Sequence, residues 1–166
     1  MILVALGANL PSPEFGAPPA SLEAALRLLQ EEGVRIARQS QWYRSAPVPP
    51  SDQPWYVNGV AEVETQLSPE TLLAALHRVE ARFGRVRGER NEARVLDLDL
   101  LAYDDRVSAP GAPPPELPHP RLHERAFVLL PLAEIARDWR HPRLGLTVAE
   151  MVRRLPAGKG LVLIQK

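Results

Sequence analysis

Cysteine is absent from this chain, which excludes a disulfide scaffold, a cysteine nucleophile and thiolate-held zinc or iron–sulfur centres. Lysine is nearly absent too. Only Lys159 and Lys166 occur, so eighteen of the 20 basic residues are arginine. That bias, with 18 prolines, is in keeping with G+C-rich coding or heat adaptation. Aromatic residues make up 5% of the chain. No apolar run approaches the roughly 20 residues that span a bilayer. The segment Met1-Ile2-Leu3-Val4-Ala5-Leu6 lacks the basic leader of a signal peptide. A cytoplasmic location without membrane contact is therefore expected. Net charge is zero, with 20 acidic residues against 20 basic ones, which counts against a surface that grips nucleic acid.

Several common site motifs are missing as well. Lys159 follows Gly158, but no Ser or Thr comes next to complete a phosphate-binding P-loop. No glycine spacing matches a dinucleotide fingerprint, and no serine sits between glycines as a nucleophile elbow. His119 and His123 have the interval of a helical zinc pair, yet Pro118 and Pro120 break the helix that would join them.

What is present is a globular composition, 45% hydrophobic and 24% charged over 166 residues, the size of one domain. Residues 2–6 read as a strand ended by Gly7-Ala8-Asn9. Ser21 reads as the cap of a helix burying Leu22, Ala25, Leu26 and Leu29 and ending at Gly33. Residues 34–44 alternate as one strand, the proline-rich stretch 46–54 is a loop, and a long strand runs from Tyr56 to Thr65. Ser68-Pro69-Glu70 opens a helix with an apolar stripe (Leu72, Leu76, Val79, Phe83) that stops at Gly84. Residues 95–103 alternate strictly as a strand, and 106–108 read as a short return strand. Six prolines in 109–120 make a long surface loop. A helix over 121–130, a helix capped by Thr147 and Glu150 through Leu155, and a strand over 161–165 complete the chain. The order β-α-β-β-α-β with a C-terminal addition predicts an α+β fold, a ferredoxin-like antiparallel sheet with helices packed on it, in a single domain over 1–166.

The densest chemical signal lies between residues 77 and 99. Arginines at 78, 82, 85, 87, 90 and 94 precede Val95-Leu96-Asp97-Leu98-Asp99-Leu100. On a strand, Asp97 and Asp99 point to one face, roughly 7 Å apart at their Cα atoms. Like charges so placed repel unless a cation lies between them. Two carboxylates for Mg²⁺, with Arg85, Arg87 and Arg94 in turn or loop context, suit a polyphosphate, because guanidinium grips phosphate oxygens in a fork. In Asp52-Gln53-Pro54-Trp55-Tyr56-Val57-Asn58, Tyr56 and Asn58 share a strand face and pair an aromatic plane with an amide. That combination suits a planar heterocycle. A third group is Pro118-His119-Pro120-Arg121-Leu122-His123-Glu124-Arg125-Ala126-Phe127.

With these segments, the chain resembles the 6-hydroxymethyl-7,8-dihydropterin pyrophosphokinase family from Leu6-Gly7-Ala8-Asn9 to about Leu155. The most specific match is Gly84-Arg85-Val86-Arg87 with Arg94-Val95-Leu96-Asp97-Leu98-Asp99. Further pieces are Tyr43-Arg44-Ser45, the Asp52–Asn58 segment, His77 with Glu80, and Pro118-His119 leading to Arg125 and Phe127. The resemblance implies transfer of the pyrophosphoryl group of ATP to the pterin hydroxymethyl group, releasing AMP. By position it implies Asp97 and Asp99 as ligands of two Mg²⁺ ions, and Ser45, Tyr56, Asn58 and Phe127 as pterin contacts. Glu80, Arg85, Arg87, Arg94, His119 and Arg125 are implied as ATP contacts, and Arg85, Arg94, Asp97 and Asp99 as the catalytic set. A stand-alone monomer is expected, acting on small molecules. One departure is Asn91-Glu92-Ala93, where the family commonly has Trp-Gly-Pro, and it raises an inactive relative as an alternative. The rival of another class is an RNA-binding module of the same topology, and the sparse aromatics, zero net charge and acid-bearing strand stand against it.

Overall fold

The computed structural model describes residues 1–47, 49–84 and 93–156, and the backbone of the strand at 161–163. Its elements are β1 (Ile2–Ala8), α1 (Ala20–Glu31), β2 (Val34–Gln39), β3 (Tyr43–Ser45), β4 (Tyr56–Thr65), α2 (Pro69–Arg82), β5 (Asp97–Tyr103), a 3₁₀ turn (Leu122–Glu124), α3 (Ala126–Ala136), α4 (Val148–Arg153) and β6 (Leu161–Leu163). The strands form one antiparallel sheet in the order β5-β1-β4-β3-β6, with β2 also paired to β4. The α+β, ferredoxin-like arrangement is thus the one observed. No helix of the described residues is long and apolar enough to cross a membrane.

Strand alternation sends two sets of side chains to opposite faces. Val4, Leu6, Ala8, Val57, Ala61, Val63, Leu98 and Leu100 join the stripes of α1 (Leu22, Leu26, Leu29) and α2 (Leu72, Leu76, Val79) in one buried cluster. Leu3, Val60, Leu101 and Ala102 join α3 and α4 (Leu129, Leu132, Val148, Met151) in another on the far face. A register shift between β1 and β5 at Leu3/Val4 brings the successive residues Leu101 and Ala102 into that second cluster, as a bulge does.

Several boundaries differ from the sequence expectation for identifiable reasons. The first strand does not stop at Gly7 but runs through Ala8, with Gly7 paired to strands on both sides. Ser21 lies inside α1 and is fully buried, while Pro19 holds the N-cap position. The single strand expected over 34–44 is two strands. Between them Trp42 is packed against the bare face of Gly59, where an added Cβ would lie 2.5 Å from the indole. The Trp42 indole N–H donates to Glu23 Oε1 at 3.0 Å. Residues 106–108 form no strand, and β5 starts at Asp97. The helix expected over 121–130 is a 3₁₀ turn followed by α3, which continues through Pro131. There the burial of Leu132, Ile135 and Ala136 outweighs the lost N–H bond that makes proline a helix breaker elsewhere. The Ser68 cap, with Oγ accepting from Thr71 N, and the Thr147–Glu150 capping box stand where the sequence put them. The last helix ends at Arg153, short of Leu155, and residues 164–166 of the expected final strand lie outside the described residues.

Candidate functional site

On the far face of the sheet, Val60 and Leu101 belong to the apolar cluster shared with α3. Next to them the same strands present a polar row. Asp97 of β5 lies opposite Gly7 of β1, Gly7 opposite Asn58 of β4, and Asn58 opposite Tyr43 of β3. One step toward α3, Asp99 lies opposite Ala5, which lies opposite Val60. One step away, Tyr56 lies opposite Ser45. Paired residues share a face, so Asp97, Asp99, Ser45, Tyr56 and Asn58 all project to one side. Two strand spacings separate Asp97 from Asn58, about 10 Å at the Cα atoms.

Gly7 sits between them without a side chain. A Cβ there would stand 3.1 Å from Asn58 Oδ1, so the glycine keeps a notch open between carboxylate and amide. Asn58 is 5% exposed, and its Nδ2 donates to Ser45 Oγ at 2.7 Å. That bond sets the amide's orientation, with the oxygen toward Gly7. Tyr43, at the end of the row, donates its hydroxyl to Glu134 Oε1 of α3 at 2.7 Å, and Gln41 N donates to Glu134 Oε2 at 2.8 Å. Burial first, then the hydrogen bond to this carboxylate, pushes the Tyr43 hydroxyl up to about 12. Glu134 therefore ties α3 to β3.

At the other end of the row, Arg94 Nη1 lies 3.0 Å from Asp97 Oδ2. Burial pushes Asp99 up to about 7. The Asp97 carboxylate raises it further and Arg125 opposes the shift. Arg125 occupies the N-cap position of α3, and its guanidinium lies 5.4 Å from the ring centroid of Phe127. Burial pulls Arg125 down from its usual range, while Asp99 acts in the opposite sense. His119 is held against β5 by its N–H to Leu101 O at 2.8 Å. Burial, followed by Arg125, brings His119 down to about 4, so the ring is neutral at pH 7. Its Nδ1 accepts from Arg121 N at 3.2 Å, which leaves the proton on Nε2.

Arg94, Asp97, Asp99, His119 and Arg125 are thus one electrostatically coupled group, and Ser45, Tyr56 and Asn58 lie along the adjoining strands. Phe127, in the first turn of α3, packs partly buried beside the second core cluster. Glu80, expected as an ATP contact, lies on the α2 side of β5. It is 2% exposed, and its Oε2 accepts from Leu98 N at 2.9 Å. It holds the outer edge of β5 from the α2 side, where a strand would otherwise leave an N–H without a partner. Arg85 and Arg87, expected on phosphate, and Asn91-Glu92 of the departing segment lie outside the described residues. Gly7 and Glu134 were not singled out from the sequence. An isolated glycine within a strand pattern is the one local signal of such close approach.

Among the described residues no three His, Cys, Asp or Glu side chains are grouped to cage a metal. Two hard carboxylates side by side, one of them raised by its neighbour, suit Mg²⁺. That ion completes its shell with water and substrate phosphates rather than with a protein cage. The donor set therefore fits the ion that the sequence suggests.

Comparison with known proteins bears on what this arrangement serves. Residues 3–137 match the family model described as 7,8-dihydro-6-hydroxymethylpterin-pyrophosphokinase (HPPK). The chain is 40% identical over 154 residues to the 2-amino-4-hydroxy-6-hydroxymethyldihydropteridine pyrophosphokinase of Synechocystis sp., covering 92% of this chain and 75% of that protein. It is 40% identical over 152 residues to the protein of the same name from Haemophilus influenzae, covering 91% and 90% of the two chains. With the one from Pseudomonas aeruginosa the identity is 43% over 141 residues, covering 85% and 83%.

Proposed function

The chain belongs to the 7,8-dihydro-6-hydroxymethylpterin-pyrophosphokinase family, and from that premise we propose that it moves the pyrophosphoryl group of ATP to 6-hydroxymethyl-7,8-dihydropterin on the Asp97–Asn58 face of its sheet. The products are AMP and the pterin diphosphate, a step of folate biosynthesis. The observation that carries the site reading is the cross-strand row. A carboxylate pair beside arginines and an oriented amide beside an aromatic ring stand about 10 Å apart on one face, with the bare Gly7 between them.

In the reaction, the hydroxymethyl oxygen bonds to the β-phosphorus while the bond from that phosphorus to the oxygen bridging to the α-phosphate breaks. AMP leaves with that oxygen, and the hydroxyl proton is lost as the new bond forms. Such a transfer asks for in-line placement and for cancellation of charge more than for covalent help. Asp97 and Asp99 would hold Mg²⁺, two ions by the family's pattern, which when bound neutralises the triphosphate and draws its oxygens into line. In this reading Arg94 and Arg125 take phosphate oxygens, and Arg94 exchanges its ion pair with Asp97 for that contact. Arg85 and Arg87 extend the basic set by their positions in the sequence. His119, neutral and with Nδ1 engaged, offers Nε2–H as a donor to a phosphate oxygen. Tyr56 and Phe127 supply aromatic faces for the pterin, and Asn58, oriented by Ser45, reads its edge. Glu80 serves by fixing the edge of the strand that carries both aspartates.

The direct test is incubation of the protein with ATP, Mg²⁺ and hydroxymethyldihydropterin, followed by separation of the nucleotides. AMP and pterin diphosphate are expected in equal amounts, and chelation of the metal stops both. Release of ADP, or no AMP at all, would reject the reading.

A further inference from the structure

A side chain near this face with three hydrogen bonds of its own is one to which the reaction assigns nothing. Asn9 follows the last residue of β1 and is 4% exposed. Its Oδ1 accepts from Arg94 N at 2.8 Å. Its Nδ2 donates to Gln53 Oε1 at 3.2 Å and to Pro54 O at 3.0 Å. Its backbone N–H and that of Leu10 both donate to Arg94 O, at 3.0 and 3.1 Å. The amide can face only one way. Reversed, its NH₂ would meet the Arg94 N–H, and its oxygen would meet the Pro54 carbonyl oxygen.

These partners flank the two halves of the site. Arg94 is three residues before Asp97 and paired with it. Pro54 is two residues before Tyr56, the first residue of β4. Within the sheet, β1 lies between β5 and β4 and holds both through its ladders as far as Gly7 and Ala8. Past Ala8 the ladders stop, and the approaches to β5 and β4 have no strand between them. One planar amide spans that gap, taking the β5 side on its oxygen and the β4 side on its nitrogen.

We infer that Asn9 is a positioning residue that sets the spacing between the phosphate-binding end and the pterin-binding end of the site, by clamping the Arg94 backbone to the Gln53–Pro54 segment. The inference rests on the proposed function for what each end binds. Asn9 touches neither substrate. Its loss frees both ends together, whereas loss of a contact residue weakens only the ligand that residue holds. Small misplacements of reacting groups are costly even when every contact residue is intact. An ordinary core amide, by contrast, would alter stability and leave the folded site unchanged.

The test is calorimetric titration of Asn9→Ala with hydroxymethyldihydropterin alone and, separately, with a non-hydrolysable ATP analogue plus Mg²⁺. Circular dichroism establishes that the variant is folded at the working temperature. Affinity for each ligand is expected to fall by about tenfold, and KM for both substrates to rise. Gln53→Ala, which removes the Asn9 Nδ2 bond to Gln53 Oε1 on the β4 side, is expected to weaken the pterin by severalfold and leave the nucleotide within twofold. A folded Asn9→Ala with either affinity unchanged overturns the inference, as does Gln53→Ala weakening both ligands equally. Should Asn9→Ala fail to fold, Asn9→Ser is put through the same two titrations and judged by the same outcomes. Failure of the wild-type protein to bind the pterin or the nucleotide would instead reject the functional reading on which the inference rests.

Discussion

The two faces of the sheet are made from alternate residues of the same strands, and they are used in opposite ways. On the α1/α2 face, Leu6, Leu98 and Val57 continue an apolar layer to the end of β1. Glu80, an acid that enters that side near β5, accepts the Leu98 backbone N–H. On the other face the apolar layer stops at Val60 and Leu101. The next positions are Ala5, Gly7, Asp97, Asp99 and Asn58, which are small or polar. Burial there costs free energy rather than supplying it: Asp99 is raised to about 7 by its surroundings, and a half-buried carboxylate beside another is a repulsive pair. Neighbouring residues of one strand thus carry opposite duties. Leu98 contributes to stability, while Asp97 and Asp99 take from it and, in the proposed function, hold a place for a polyphosphate and its counter-ions.

That contrast can be broken by substitution. The largest effect is expected from Asp97→Ala and Asp99→Ala. Each should abolish AMP release while the melting temperature stays level or rises, because a like-charge pair is relieved. Near wild-type turnover in either would reject the metal assignment. Leu98→Ala, between them in sequence, should do the reverse. It removes a side chain 3% exposed and should cost about 2–5 kcal/mol in denaturant unfolding, with turnover per folded molecule retained. Tyr56→Ala should lower pterin affinity by roughly tenfold and leave nucleotide affinity unchanged in titration. Equal losses would contradict its role as a stacking face.

The smallest effect concerns acid. His119 has its proton affinity depressed in the fold, from 6.5 to about 4. Below pH 6.5 the unfolded chain takes up a proton that the folded protein refuses at this ring, so the stability linked to His119 is full above that pH and declines as pH falls toward 4, while Asp99, raised in the fold to about 7, acts in the opposite sense over the same range. His119→Gln should flatten this decline in urea unfolding measured at pH 7, 5.5 and 4.5. An unchanged slope would show that the ring is not held neutral by its surroundings.

Much of this was legible in the residues. The Asp-x-Asp alternation placed both carboxylates on one face, and pairing opposite Gly7 and Ala5 agrees with that. Ser68-Pro69 and the Thr147–Glu150 box marked two helix starts through local hydrogen bonds. Misreadings came where a distant partner overrode a local rule. Gly7 reads as the end of a strand until Asn58 is seen against it. Residues 34–44 read as one strand until Trp42 is seen against Gly59. The helix over 121–130 reads as ending there until Leu132 and Ile135 are seen buried beyond Pro131.

Periodicity and capping residues were sufficient to set the fold class, since these depend on interactions only a few residues long, whereas the chemistry came from the resemblance to a family carried by the arginines ahead of two alternating aspartates. Tertiary structure alone decided which segments meet. Asn9 lies 85 residues from Arg94 and 45 from Pro54, and Glu134 lies 91 from Tyr43. A side-chain amide or carboxylate can bond many partners equally well, so nothing near it in sequence says which one the folded chain will bring within 3 Å.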